Sequence, residues 1–175
     1  MFKFSCKFCA FSKGSVAKNQ REVPYDITHQ EMSRRTKEAF ARGATEICLQ
    51  GGIHPGYTGE TYIDICRTIR EAVPSIHIHA FSPLEIWHGA STLNLSLSDF
   101  LQQLKDSGLD TLPGTAAEIL DDEVRNNLCA NKINTQQWLN TMRSAHNLGI
   151  KSTSTIMFGH IDKLKHWATH LLRIR

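Results

Sequence analysis

Two cysteines three residues apart, Cys6 and Cys9, stand near the start of the chain in "SCKFCAF". Thiolates at that spacing can grip a soft metal, since cysteine sulfur is an ordinary ligand of zinc and of iron–sulfur clusters. Two ligands do not complete a site, and the pair alone fits half a zinc site, a redox pair or an iron–sulfur cluster. No second C-x-x-C or zinc-finger histidine pair follows. His166 and His170 in "HWATH" have H-x-x-x-H spacing but lack the glutamate of a zinc protease, and their neighbours read as an ordinary surface helix. A thioredoxin-like pair would follow a strand and open a helix, whereas this one runs into the long polar stretch "SKGSVAKNQREVPYDIT". An iron–sulfur cluster is the remaining candidate.

Other groups capable of chemistry cluster just after short apolar runs: "QGGIHPG", "AFSP", "LPGT" and "FGH". The runs read as strands, and helical patterns separate them. Thr28 and Glu31 have capping-box spacing before Met32, Thr36, Ala39 and Phe40, with Gly43 as a stop. "ATEICLQGG" is the first strand, and Tyr62, Ile65, Cys66, Ile69 and Val73 mark a helix that Pro74 ends. "SIHIHAFSP" is the second strand, followed by a helix around Phe100, Leu101 and Leu104 that stops at Gly108. "LDTLPG" is the third strand, then helices over about Ala117 to Asn127 and Thr135 to Leu148. "KSTSTIMFGH" is the fourth, and "KLKHWATHLLRI" a last helix.

Strand starts near Ala44, Ser75, Gly108 and Lys151 recur at an interval close to the ~31 residues per unit of an eight-unit barrel. Alternating strands and helices imply an α/β fold with a parallel sheet, whose carboxyl edge carries the active site. In "SIHIHAF", Ile76, Ile78 and Ala80 share one face and His77, His79 and Phe81 the other. The apolar face suits the outer helices, which sends both imidazoles to the interior of a barrel. The four visible segments predict a partial parallel (β/α) barrel of TIM-barrel-like type.

The chain has 175 residues, a hydrophobic fraction of 41% and a formal charge of +3, which fits one core domain over 1–175. No clustered Lys/Arg stripe suggests a nucleic-acid partner. No apolar run approaches the ~20 residues of a membrane span, and the first residues are too broken for a signal peptide. The expected location is cytoplasmic, and an odd count of five cysteines argues there against a disulfide framework.

"CKFCAF", "LQGGIHP", "IHIHAFSP", "GLDTLPGTAAEILDDEVR" and "TSTIMFGHID" together resemble the radical S-adenosylmethionine (SAM) enzymes of deazaflavin biosynthesis, and most closely the family formed by the second subunit or second half of FO synthase. The resemblance implies a radical SAM barrel, incomplete at both ends of this chain. It also implies a [4Fe-4S] cluster on three cysteines in C-x-x-x-C-x-x-C. Cys6 and Cys9 match the second and third, and Phe2 stands where the first would fall. In the family, one electron from the cluster cleaves SAM to a 5′-deoxyadenosyl radical. That radical takes hydrogen from L-tyrosine, and the p-hydroxybenzyl fragment joins 5-amino-6-(D-ribitylamino)uracil on the route to coenzyme F420. The first FO synthase subunit is a further expected partner.

By the same resemblance Phe8 matches the aromatic beside the adenine, and Gly51 and Gly52 the glycine turn that approaches the methionine end of SAM. His54, His79, Glu118 and His160 are polar groups at strand ends, suited to substrate or ribose contacts and proton transfer. Cys48, Cys66 and Cys129 read as buried thiols. The rivals are a menaquinone futalosine-pathway radical SAM enzyme, a non-catalytic truncated homologue, and a small zinc protein.

Overall fold

A computed structural model describes Cys6, Phe8 and residues 26–175 of the chain. Four strands form a parallel sheet in sequential order: β1 (Glu46–Leu49), β2 (His77–Ala80), β3 (Thr111–Leu112) and β4 (Lys151–Ser152). The helices are α1 (His29–Ala41), α2 (Gly59–Ala72), α3 (Pro83–Thr92), α4 (Leu97–Asp106), α5 (Asp122–Leu128), α6 (Thr135–Asn147) and α7 (Leu164–Ile174). Sequential parallel order with helical crossovers is the progression of a (β/α) barrel wall.

The core lies between the sheet and its helices. Ile76, Ile78 and Ala80 pack there against Ile69 of α2, Ile86 of α3, Phe100 and Leu104 of α4 and Met142 of α6. Ile47 and Leu49 of β1 join this layer, while Glu46 and Cys48 are exposed on the opposite face. Within β2 the expected alternation holds, and His77 and His79 lie on the side that faces a barrel interior. Phe81, expected on that side with them, instead lies past the strand end, where its left-handed backbone, φ 64°, turns it into the helical core against Tyr62. Close packing dictates two glycines in the helical layer. A Cβ on Gly59 would fall 2.4 Å from Leu93, and one on Gly89 2.5 Å from Phe100.

Arg70 of α2 fastens the amino edge of the sheet. It donates to the carbonyls of Pro74, Ile76 and Gly108 and to the carboxylate of Asp110. Asp110 in turn accepts from the Ile78 N–H at 2.8 Å. The amino edge is thus closed by stabilising bonds, and the carboxyl edge is left to its loops.

Three expected elements are corrected. The segment between the second strand and Phe100 forms two helices, α3 and α4, with α3 opened by a Ser82–Glu85 capping box and Pro83 in its first turn. The helix expected from Ala117 starts at Asp122, because Ala116 and Glu118 adopt φ of 57° and 45°, in the left-handed region, and interrupt any earlier turn. Finally, α7 is no ordinary surface helix, since His166 and His170 are both buried.

Candidate functional site

The barrel-facing side of the sheet carries a polar layer at one register level. Cys48 of β1 lies opposite His79 of β2, His79 opposite Thr111 of β3, and Thr111 opposite Lys151 of β4. A layer of thiol, imidazole, hydroxyl and amine is poor filling for an apolar core and good lining for a polar ligand. The Thr111 hydroxyl meets His77 Nε2 at 2.8 Å and His79 Nδ1 at 2.7 Å. One hydroxyl can donate to one ring and accept from the other, so Thr111 fixes both imidazoles. Cys48 is exposed on this face, which corrects its reading as a buried thiol.

The loops at the carboxyl edge are built by distinct polar networks. After β1, Gly51 and Gly52 are exposed. Gly51 donates its N–H to Glu85 at 3.0 Å. A Cβ on Gly51 would meet only that carboxylate oxygen, at an ordinary 3.5 Å, so local packing does not demand glycine there. His54 closes the next turn by accepting the Gly56 N–H at Nδ1, and its ring rests on Tyr57.

After β2, Glu85 is 3% exposed and accepts from the Ser82 N–H and hydroxyl, both at 2.7 Å. Burial pushes its pKa up to about 7, against the opposing pull of the Ser82 and Gly51 donors. Tyr62 packs edge-on against Phe81 beside it, and burial with the nearby Glu85 charge raises the Tyr62 pKa strongly.

After β3, Gly114 lies so close to the β4 chain that a Cβ would come within 2.2 Å of the Thr153 carbonyl oxygen. Glu118 is buried beyond it, in an ion cluster with Lys132 at 2.7 Å and Arg125 at 3.6 Å. Burial opposes the Lys132 ammonium, but Glu118 outweighs it and raises the lysine pKa. The same ammonium lies 5.6 Å from the centre of the Phe8 ring, within cation–π reach. Cys6 packs on the small apolar cluster of Ile119, Val124, Leu128 and Cys129. Glu118, Lys132, Phe8 and Cys6 thus gather beside the loops that follow β3 and β4. Cys9 lies outside the described residues. Cys66 and Cys129 are buried, and burial pushes their thiols up to about 12 and about 11.

His160 is placed differently from its expected role. Its Nε2 pairs with the Met157 carbonyl and its Nδ1 accepts from the Ile161 N–H. Both ring nitrogens are engaged in one turn, which Asp162 completes by accepting from Gly159, His160 and Trp167. Burial works against the Asp162 carboxylate, but these donors hold its pKa well below the usual range. Of the expected polar residues, His79 faces the barrel interior, Glu118 joins Phe8 and Cys6, and His54 and His160 anchor separate turns. Glu85, Thr111 and Lys132 are site residues absent from the expected set. The Ser82-Pro83-x-Glu85 capping box could have pointed to Glu85, and strand alternation to Thr111.

A model of the "Radical SAM superfamily" matches residues 3–174. The chain belongs to that superfamily. It is 45% identical to FO synthase of Streptomyces coelicolor over 95% of its length, covering 19% of that protein. The FO synthase of Mycobacterium leprae is 44% identical over 97% of the chain, again with 19% of the relative covered. The 5-amino-6-(D-ribitylamino)uracil–L-tyrosine 4-hydroxyphenyl transferase of Methanocaldococcus jannaschii is 43% identical over 98% of the chain. The chain spans 47% of that relative's length. The expected fold is borne out: a radical SAM domain built as α/β with a parallel four-stranded sheet. Among the described residues, no helix is long and apolar enough to cross a membrane.

Superfamily membership implies a [4Fe-4S] cluster and SAM in general. The donor chemistry at Cys6 fits such a group. A thiol lies at the carboxyl edge, with the Lys132 cation close enough to feel its charge, as a negatively charged cluster requires.

Proposed function

We propose that this chain carries part of the core of a radical SAM transferase of deazaflavin (FO) biosynthesis, and that its substrates are L-tyrosine and 5-amino-6-(D-ribitylamino)uracil. The observation that carries the reading is the agreement over 98% of the chain with the archaeal relative whose name states that reaction. The polar layer on the barrel-facing side supports it, because both substrates are polar and need hydrogen-bonding partners in a site sheltered from water.

In this reading Cys6 and Cys9 hold the [4Fe-4S] cluster, and the Gly51–Gly52 backbone receives the methionine end of SAM. When bound, the two supply one-electron cleavage chemistry that opens the route to tyrosine Cα–Cβ scission. The chain's own residues bind, orient and exclude water. Phe8 lies against the adenine, with Lys132 fixing the ring from its other side. His79, held at Nδ1 by Thr111, keeps Nε2 for a proton of the bound substrate. Glu118 holds Lys132 in place, while His54 and His160 keep the loops after β1 and β4 in shape. The first FO synthase subunit, or its equivalent half, is the partner that shares the pathway, and the cytoplasm is the location.

The test is an anaerobic assay of the chain, reconstituted with iron and sulfide, using both substrates, SAM and a reductant. The expected product is the p-hydroxybenzyl adduct of the ribitylaminouracil, with loss in Cys9→Ala. Equal product from Cys9→Ala would overturn the cluster assignment.

A further inference from the structure

Glu85 is a carboxylate that an ordinary capping box does not explain. A glutamate at that position of a helix start commonly reaches back to one backbone N–H from the surface. Here the group is 3% exposed and takes a third donor from the neighbouring β1 loop, Gly51 N–H, 34 residues away in sequence. Burying a carboxylate costs several kcal/mol, on the order of its lost hydration. A fold keeps such a group where its acceptor-only chemistry is needed, and the three groups around it are the Gly51 N–H, the Ser82 N–H and the Ser82 hydroxyl, all donating. An amide in its place would turn an NH2 toward one of these donors.

We propose that Glu85 is a positioning residue. Its two carboxylate oxygens clamp the glycine turn after β1 to the turn after β2, presetting the Gly51–Gly52 backbone for the amino-acid end of SAM. The inference rests on the cosubstrate reading given above and adds to it a residue that touches neither cosubstrate nor cluster. Each oxygen grips one loop: Oε1 takes the Gly51 N–H, and Oε2 takes both the Ser82 N–H and the Ser82 hydroxyl. Phe81, at φ 64°, is the residue bent to bring Ser82 into that grip. The freedom left by glycine then serves the ligand side of the turn, because a Cβ on Gly51 finds no clash on the protein side.

The test combines amide NMR of the whole chain with SAM binding measured by equilibrium dialysis after anaerobic reconstitution, for wild type and Glu85→Gln. The Gly51 and Ser82 amide signals are expected to titrate together in wild type and to lose that titration in Glu85→Gln. Burial raises the pKa of Tyr62 on α2 and of Tyr57, so both stay protonated through this range, and His88 of α3 and His54 of the β1 loop are present in both proteins, so the difference between them isolates Glu85. SAM affinity is expected to fall about tenfold in the variant while the remaining amide spectrum stays native. A Gly51 signal indifferent to the substitution overturns the clamp. A clamp that is lost without change in SAM affinity overturns the positioning role. Failure of wild type itself to bind SAM, with the amide titration intact, removes the cosubstrate reading and reduces Glu85 to a structural tie.

Discussion

Two buried carboxylates sit at the carboxyl edge of the same sheet and are held in opposite ways. Glu85, after β2, is surrounded by neutral donors from two loops. Glu118, after β3, faces two cations, Lys132 and Arg125. Neutral donors fix direction but compensate a charge only in part, which is why burial still pushes Glu85 up to about 7. Cations compensate charge, and each of the three ions then depends on the others. The first arrangement suits a loop whose backbone must be placed. The second suits the joint where Cys6 and Phe8 dock and where positive charge is useful.

The largest effect should come from breaking the ion cluster. Glu118→Ala leaves Arg125 and Lys132 buried without their counterion, and urea unfolding should show a loss of about 3–5 kcal/mol. A loss below about 1 kcal/mol would mean that the cations relax into water. Next, Gly114→Ala forces a Cβ onto the Thr153 backbone, and the strand ends after β3 and β4 must part. Overpacking of this kind costs about 1–3 kcal/mol, read as a lowered denaturation midpoint.

The Glu85 side of the comparison is sharpened by pH. Its folded pKa, about 7, lies above the ordinary 4.5, so the folded chain binds the proton more tightly than the unfolded chain. The resulting penalty is absent below the ordinary value, grows as pH rises between the two, and is complete above 7. Wild type should therefore lose on the order of 3 kcal/mol relative to Glu85→Gln across that window. Parallel stability curves for the two proteins would contradict the burial of an ionisable group there. The smallest effect is expected for Thr111→Val, which removes the hydroxyl shared by His77 and His79. On a half-buried site the cost is about 1 kcal/mol, but the ring proton and nitrogen chemical shifts of both histidines should change as the shared hydroxyl is lost.

Periodicity made the sheet legible. The alternation in "SIHIHAF" placed His79 on the barrel side, and the regular spacing of apolar runs implied parallel strands. Helix α3 was equally open to reading through Ser82, Pro83 and Glu85, yet the expected pattern passes straight from β2 to Phe100. The late start of α5 was not legible, since nothing in "GTAAEILDDE" announces left-handed backbone at Ala116 and Glu118. Site residues divide in the same way. Cys6, Gly51 and His79 are marked by motif or alternation. Lys132 is brought to Phe8 and Glu118 by tertiary packing alone, and the two-ended grip that fixes the His160 ring in its own turn depends on the backbone of Met157 and Ile161.

The central claim, a radical SAM site at this edge, is tested most directly by anaerobic iron and sulfide analysis with electron paramagnetic resonance, before and after adding SAM. The account predicts bound iron and sulfide, a reduced-cluster signal that changes shape when SAM binds, and loss of both in Cys9→Ala. Stoichiometric zinc with no iron, or a cluster signal indifferent to SAM and retained in Cys9→Ala, would contradict it.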